Sequence, residues 1–216
     1  MAGVRGWEDL RAEAAESQLA KLGEAICQQY GTDLQNWLDI ATTPLPETLR
    51  LNPLRYDSKW TEEILLEIGG EQIGWYDADG GAFQFPWQRG KPQSDEIKGI
   101  MQSLHETGRV TRQEAASMLP ILIANPQDGE TLLDLCAAPG AKTTQAMVAM
   151  KGGGVVVANE VNSKRANMLS TNITRVGLPN AIICRHDGRH FPRVPDPGYD
   201  VVIADCLLYT SDAADE

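Results

Sequence analysis

The sequence predicts an α/β fold: the first half of a doubly wound, Rossmann-like parallel sheet, preceded by a small helical and α+β module. Three observations lead there. From residue 131 onward short apolar runs alternate with helical patterns, as in strands buried by crossover helices. Within that region a strand, a turn of small residues and a helix start follow one another over residues 131–145, where open α/β sheets bind cofactors. Before residue 110 the pattern is different, with short amphipathic helices around a Gly-rich hairpin signal.

The elements follow in order. Residues 7–30 form an amphipathic helix, with Leu10, Ala14, Leu19, Leu22 and Ile26 near one face and Gly31 past its end. A second short helix covers residues 33–41. Pro44 and Pro46 then impose extended chain, and residues 48–51 read as a strand. Asp57 or Ser58 caps a helix to residue 67, which Gly69 and Gly70 end. Residues 73–76 and 82–85 flank Asp77-Ala78-Asp79-Gly80-Gly81, a hairpin pattern. Ser94 caps a helix to residue 106, with Gly108 beyond it. Thr111 and Glu114 have capping-box spacing ahead of Ala115, Met118, Leu119, Ile121 and Leu122. Pro120 should kink that helix and Asn125-Pro126 end it. Strands at 131–135, 155–158, 181–184 and 200–204, with helices from 142 and over 163–175 (stopped by Gly177), complete the pattern. The runs at 181–184 and 200–204 are typical of strands buried on both faces. This divides the chain into an amino-terminal module, residues 1–110, and a cofactor domain, residues 111–205.

Composition excludes some classes. No apolar run spans a bilayer, and no basic-plus-apolar leader is present, so no membrane partner is expected. Cys27, Cys136, Cys184 and Cys206 form no C-x-x-C pair, and reduced thiols are the simplest reading. Three histidines without an H-E-x-x-H pattern indicate no metal site. The net charge of −11 argues against a nucleic-acid partner, but its distribution weakens that objection. Residues 1–130 carry 21 acidic against 11 basic side chains, a net of −10, whereas residues 131–205 carry 6 against 8, a net of +2. Arg50, Arg55, Arg89 and Lys91, interleaved with Trp75, Tyr76, Phe83, Phe85 and Trp87, have the composition of an RNA-facing surface. Core aromatics beside solvated charges explain the same residues equally well.

The chemistry concentrates after the strand at 131–135. Cys136-Ala137-Ala138-Pro139-Gly140-Ala141-Lys142 is not a dinucleotide fingerprint, because Gly140 is its only glycine. Nor is it a phosphate loop: Leu135 stands at the first glycine position, and Ala141 separates Gly140 from Lys142. A small-residue turn without phosphate chemistry fits a nucleoside cofactor such as S-adenosylmethionine. Glu160, 20 positions after Gly140, has the spacing for accepting hydrogen bonds from ribose hydroxyls. Asp187 and Asp205 follow the next two strands, placed to meet an adenine amino group and either the methionine ammonium or a target base.

The turn with Thr143 and Thr144 resembles the cofactor motif of the RsmB/NSUN RNA cytosine-5 methyltransferases. Arg112-Gln113-Glu114-Ala115 with Ser117, Met118 and Pro120 is similar to the segment before it, and Leu45-Pro46-Glu47-Thr48-Leu49-Arg50-Leu51-Asn52 to an upstream motif. The matches most resemble the eukaryotic branch acting on tRNA. The resemblance implies S-adenosylmethionine bound by residues 136–142, Glu160, Asp187 and Asp205, with Lys142 and Asp205 at the catalytic centre and RNA, as tRNA, the partner. It implies an intracellular enzyme, nuclear or cytoplasmic, and covalent catalysis, a cysteine thiolate adding to cytosine C6. A second cysteine, in an Asp-x-Pro-Cys motif, would release the product. After Asp205 the sequence departs from the family. Cys206 stands two positions short of that release cysteine, Cys136 reads as packing, and residues 206–216 read as a non-native tail. The chain as given is therefore expected to lack the nucleophile and to be inactive, with residues 201–203 an uncovered edge. The alternative is a catalytically silent adenosylmethionine-binding module, or a small-molecule methyltransferase of the same fold.

Overall fold

The structure is a computed structural model; it describes residues 18–192 and 198–205. The chain divides into two compact units, residues 1–45 and 46–216.

In the first unit, α1 (Gln18–Tyr30) and α2 (Leu34–Ala41) form a helix pair. Asp33 caps α2, its Oδ1 accepting from the Asn36 amide at 2.9 Å. Gly23 lets α1 pack closely on α2: a Cβ there would lie 2.6 Å from the Trp37 ring. Residues 7–17 of the expected first helix lie outside the described residues.

The second unit opens with an antiparallel sheet in the order β2-β3-β1-β4. Its strands are β1 (Pro46–Leu51), β2 (Glu71–Gln72), β3 (Ala82–Gln88) and β4 (Val110–Arg112). The helices α3 (Ser58–Glu67) and α4 (Asp95–Glu106) complete a core of Leu49, Leu51, Leu65, Phe83, Phe85, Met101, Leu104 and Val110. Ser94 caps α4 as expected, accepting from the Ile97 amide at 3.2 Å. Two local readings fail here. Residues 73–76 are not a strand; Glu71–Gln72 pairs with β3 instead, because Ile73 and Tyr76 turn inward to pack on Ala82 and Met118. Thr111 opens no capping box. It pairs with Arg50 across β1 and β4, while Glu114 is extended and makes no side-chain cap. The free edge of β1 satisfies the Val110–Arg112 backbone in a ladder, which outweighs a cap worth about 1 kcal/mol.

Helix α5 (Ala115–Ala124) contains Pro120 and ends at Asn125, in the left-handed conformation at φ 44°. The parallel sheet follows in the order β7-β6-β5-β8: β5 (Thr131–Asp134), β6 (Val155–Asn159), β7 (Ala181–Cys184) and β8 (Val201–Ile203). The crossovers are α6 (Ala141–Ala149) and α7 (Ser163–Val176), the latter stopped by Gly177 in the left-handed conformation. This is the expected α/β architecture. Ile121, Leu132, Ala146, Met147, Met150, Val156 and Ile203 form its core. Burial on both faces fails for β7 and β8, where Ile182 and Val202 are each 57% exposed. Outer strands have a neighbour on one side only among the described residues. No helix among those residues is long and apolar enough to cross a membrane, and no cluster of His, Cys, Asp and Glu there could hold a metal.

Candidate functional site

The turn after β5 is fixed from both sides. The Leu135 amide donates to the Ile203 carbonyl (2.8 Å) and the Ala137 amide to the Asn159 carbonyl (2.8 Å), so β8 and β6 define its start. Pro139 follows a cis peptide bond. Gly140, at φ 108°, turns the chain into α6, and a Cβ there would lie 2.9 Å from Leu169 Cδ1. Only glycine combines that conformation with that approach. Helix α7 holds the turn's outer side: Arg165 Nη2 donates to the Ala138 carbonyl (3.0 Å), and Asn172 Nδ2 to the Pro139 carbonyl (2.7 Å). Ala137 and Ala138 are buried, Cys136 half-buried.

The carboxylates at the strand tips differ in their surroundings. Glu160 is 5% exposed. Its Oε1 accepts from the Asn162 amide at 2.9 Å, and Arg165 Nε lies 3.7 Å from Oε2. Arg165 thus joins Glu160 to the turn. Asp205 pairs with Lys142, Oδ2 to Nζ 3.2 Å, and Lys142 also donates to Ser117 Oγ at 3.3 Å. Asp187 is less intimately placed. Its carboxylate receives Arg189 at 2.6–3.2 Å, and these bonds hold it well below the usual carboxylate range.

Several residues that build the site carried no assigned role in the sequence. Asp134, at the end of β5, is buried and accepts from Thr143 Oγ1 at 2.7 Å. Burial raises its pKa, against the opposing hydrogen bonds from Thr143 and the Cys136 amide. Asn159 ties three strand ends together: Nδ2 donates to the Leu135 and His186 carbonyls (3.0 and 2.9 Å), and Oδ1 accepts from the His186 amide (2.8 Å). Its position beside Glu160 was the available signal. Ser117, Arg165 and Asn172 act through partners distant in sequence, which no local pattern announces.

Of the two readings of the amino-terminal aromatic and basic residues, core packing holds for most of the rings. Tyr76, Phe83, Phe85 and Trp87 are core residues, and Arg50 is 2% exposed. Alternation along β3 sends Phe83, Phe85 and Trp87 inward, while β1 is buried at every position from Glu47 to Leu51, Arg50 included. Arg50 instead donates to Gln113 Oε1 (Nε, 3.1 Å) and Thr144 Oγ1 (Nη2, 3.3 Å), and burial lowers its pKa to about 10. Arg89, Lys91 and Trp75 remain at the surface and Arg55 half-buried. A separate cavity of about 570 Å³ opens between the Tyr76–Asp79 turn and the far ends of α5 and α6. It includes none of the strand-tip residues and is not this site.

Residues 121–207 match the family model for 16S rRNA methyltransferase RsmB/F. Over 166 residues the sequence is 34% identical to the 25S rRNA (cytosine-C(5))-methyltransferase nop2 of Schizosaccharomyces pombe, covering 75% of this chain and 26% of that protein. It is 29% identical to the tRNA (cytosine(49)-C(5))-methyltransferase of Pyrococcus abyssi, covering 88% of this chain and 59% of that protein. Among solved structures, a methyltransferase homolog protein from Pyrococcus horikoshii superposes with a TM-score of 0.58 at 26% identity, covering 71% of this chain and 48% of that one. The chain spans about a fifth to three fifths of the length of the curated relatives it matches.

Proposed function

The chain belongs to the RsmB/NSUN family of RNA cytosine-5 methyltransferases, and on that premise we propose that it binds S-adenosylmethionine for methylation of cytosine C5 in RNA. The observation that carries this reading is Glu160, a carboxylate 5% exposed at the tip of β6 and joined to the Gly140 turn through Arg165.

The residues fit the group. S-adenosylmethionine brings a ribose diol, an adenine amino group, an ammonium and a sulfonium, all matched by acceptors or negative charge. The strand tips supply Glu160, Asp187 and Asp205. A phosphate-bearing cofactor would instead need a glycine-rich cradle of backbone amides, and the turn has one glycine. In this reading residues 136–142 line the cofactor, Glu160 accepts from the ribose hydroxyls, Asp187 faces the adenine and Asp205 the methionine end or the base. Bound S-adenosylmethionine supplies an electrophilic methyl group. Lys142, held between Ser117 and Asp205, places a positive charge where electron density builds on an attacked pyrimidine ring. Relatives named for tRNA and for rRNA both occur; we take tRNA as the substrate on the motif resemblance, and the cell interior, nuclear or cytoplasmic, as the place of action.

Calorimetry tests the reading. The chain should bind S-adenosylmethionine, and Glu160→Ala should weaken binding by about 1–3 kcal/mol, the loss of charge-assisted hydrogen bonds. Equal affinities would remove Glu160 from the site, and binding of NADH in its place would overturn the cofactor assignment. Methylation of tRNA and rRNA transcripts, assayed side by side in the full-length protein, separates the two substrates.

A further inference from the structure

We propose that Tyr56, Trp60, Arg55 and Arg109 form a grip for an unpaired stretch of the RNA, separate from the cofactor turn. The inference rests on the reading that the chain acts on RNA, and it replaces the buried aromatics with those the fold leaves outside.

Tyr56, on the turn into α3, is 95% exposed, and Trp60, in the first turn of that helix, is 49% exposed. Arg109 lies over the Trp60 ring, its Cζ 5.9 Å from the centroid. Asp57 fixes that guanidinium, accepting from Nε at 2.8 Å and Nη2 at 2.7 Å. Arg55 donates to the Thr107 carbonyl. Next to this turn, Arg175 donates to the carbonyls of His105 and Val110, each at 2.9 Å. Among the described residues neither Arg55 nor Arg175 has an ion pair with a carboxylate. His105 reports the same field: burial, then Arg175 and Arg112, lower its pKa to about 4. Glu62 and Glu63 follow Trp60 on α3.

Fixed arginines beside exposed rings match an anionic backbone carrying unstacked bases. A duplex offers phosphates but hides its base faces, so the rings specify a single strand. The patch also has a structural route to the chemistry: Asn172, one turn before Arg175 on α7, holds the Pro139 carbonyl of the cofactor turn.

Fluorescence anisotropy of the 1–216 protein with a labelled, unstructured RNA oligonucleotide and with its duplex tests this. Tyr56→Ala and Trp60→Ala should each raise the single-strand Kd about five- to tenfold. Arg55→Gln should reduce the slope of log affinity against log salt by about one. Calorimetric affinity for S-adenosylmethionine should stay unchanged in all three. Single-strand affinities within about twofold of wild type, a preference for the duplex, or no RNA binding by the unmodified protein would each overturn the grip. Failure of the unmodified protein to bind S-adenosylmethionine would instead remove the cofactor reading, which the anisotropy does not measure.

Discussion

Arg50 is a fully buried cation whose hydrogen bonds go to neutral groups, Gln113 and Thr144. Gln113 also donates to Gln145 Oε1 at 2.8 Å and to the Ser117 carbonyl at 3.1 Å, tying the antiparallel sheet to the first turns of α5 and α6. Removing one member of such a network leaves the others unsatisfied away from water. Gln113→Leu should therefore cost about 2–4 kcal/mol in denaturant unfolding; a change within experimental error would show that the network repacks. Gly140→Ala combines a forbidden backbone conformation with a clash on Leu169 and should cost roughly 2–4 kcal/mol, read as a drop in Tm. His105 predicts a pH dependence. Its folded pKa, about 4, lies below the unfolded value of 6.5, so between them the unfolded chain holds the proton. The stabilisation is complete above about pH 6.5 and is lost as pH falls through 4. Allowing for solvent screening of the half-exposed ring, it amounts to about 1–2 kcal/mol. His105→Gln should flatten the stability profile between pH 7 and 4, and parallel profiles would contradict the assignment.

At the scale of elements, the ends of helices show local chemistry and tertiary pairing in competition. Asp33, Ser94 and Asn162 cap as their residue types favour, each accepting backbone amides. Asp57 does not: its carboxylate is drawn to Arg109, and α3 starts without a side-chain cap. Lys151, just past α6, adopts φ 54°, a conformation costly for any residue with a Cβ. Its ion pair with Asp79, 3.7 Å long between side chains 63% and 76% exposed, returns little. Lys151→Gly should then raise stability by about 0.5–1 kcal/mol. A loss in thermal unfolding would mean that the ion pair outweighs the backbone strain.

For the whole molecule, the parallel sheet sets the exposed liability. Among the described residues β8 pairs with β5 alone, and Val202 is 57% exposed. Apolar side chains exposed on the outer strands, Val202 and Ile182 at 57% each, favour contact with another copy. We expect the 1–216 protein to self-associate and Val202→Lys to reduce that association, as followed by light scattering. Equal scattering from the two would place the sticky surface elsewhere.

The periodicity of residues 131–205 was enough to specify the parallel sheet, its crossovers and the turn between β5 and α6. Those features depend on neighbours a few residues apart, where side-chain size and backbone preference act directly. The carboxylates at 160, 187 and 205 could likewise be placed at strand ends by counting. Their surroundings could not. Lys142 engages Asp205 and Asn159 binds three strand ends through contacts set by strand order, while Arg189 folds back on Asp187 within one turn. The same holds for the amino-terminal module. Alternation within β1 and β3 shows that two faces exist; only the packing of α3 and α4 shows which face is inside. Burial of Phe83 and Phe85 followed from that choice, whereas Arg50, between Leu49 and Leu51 on a strand buried on both faces, is covered by Gln113 and Thr144. Short-range order is written in neighbouring side chains, whereas burial and pairing are properties of surfaces that form only when distant segments meet.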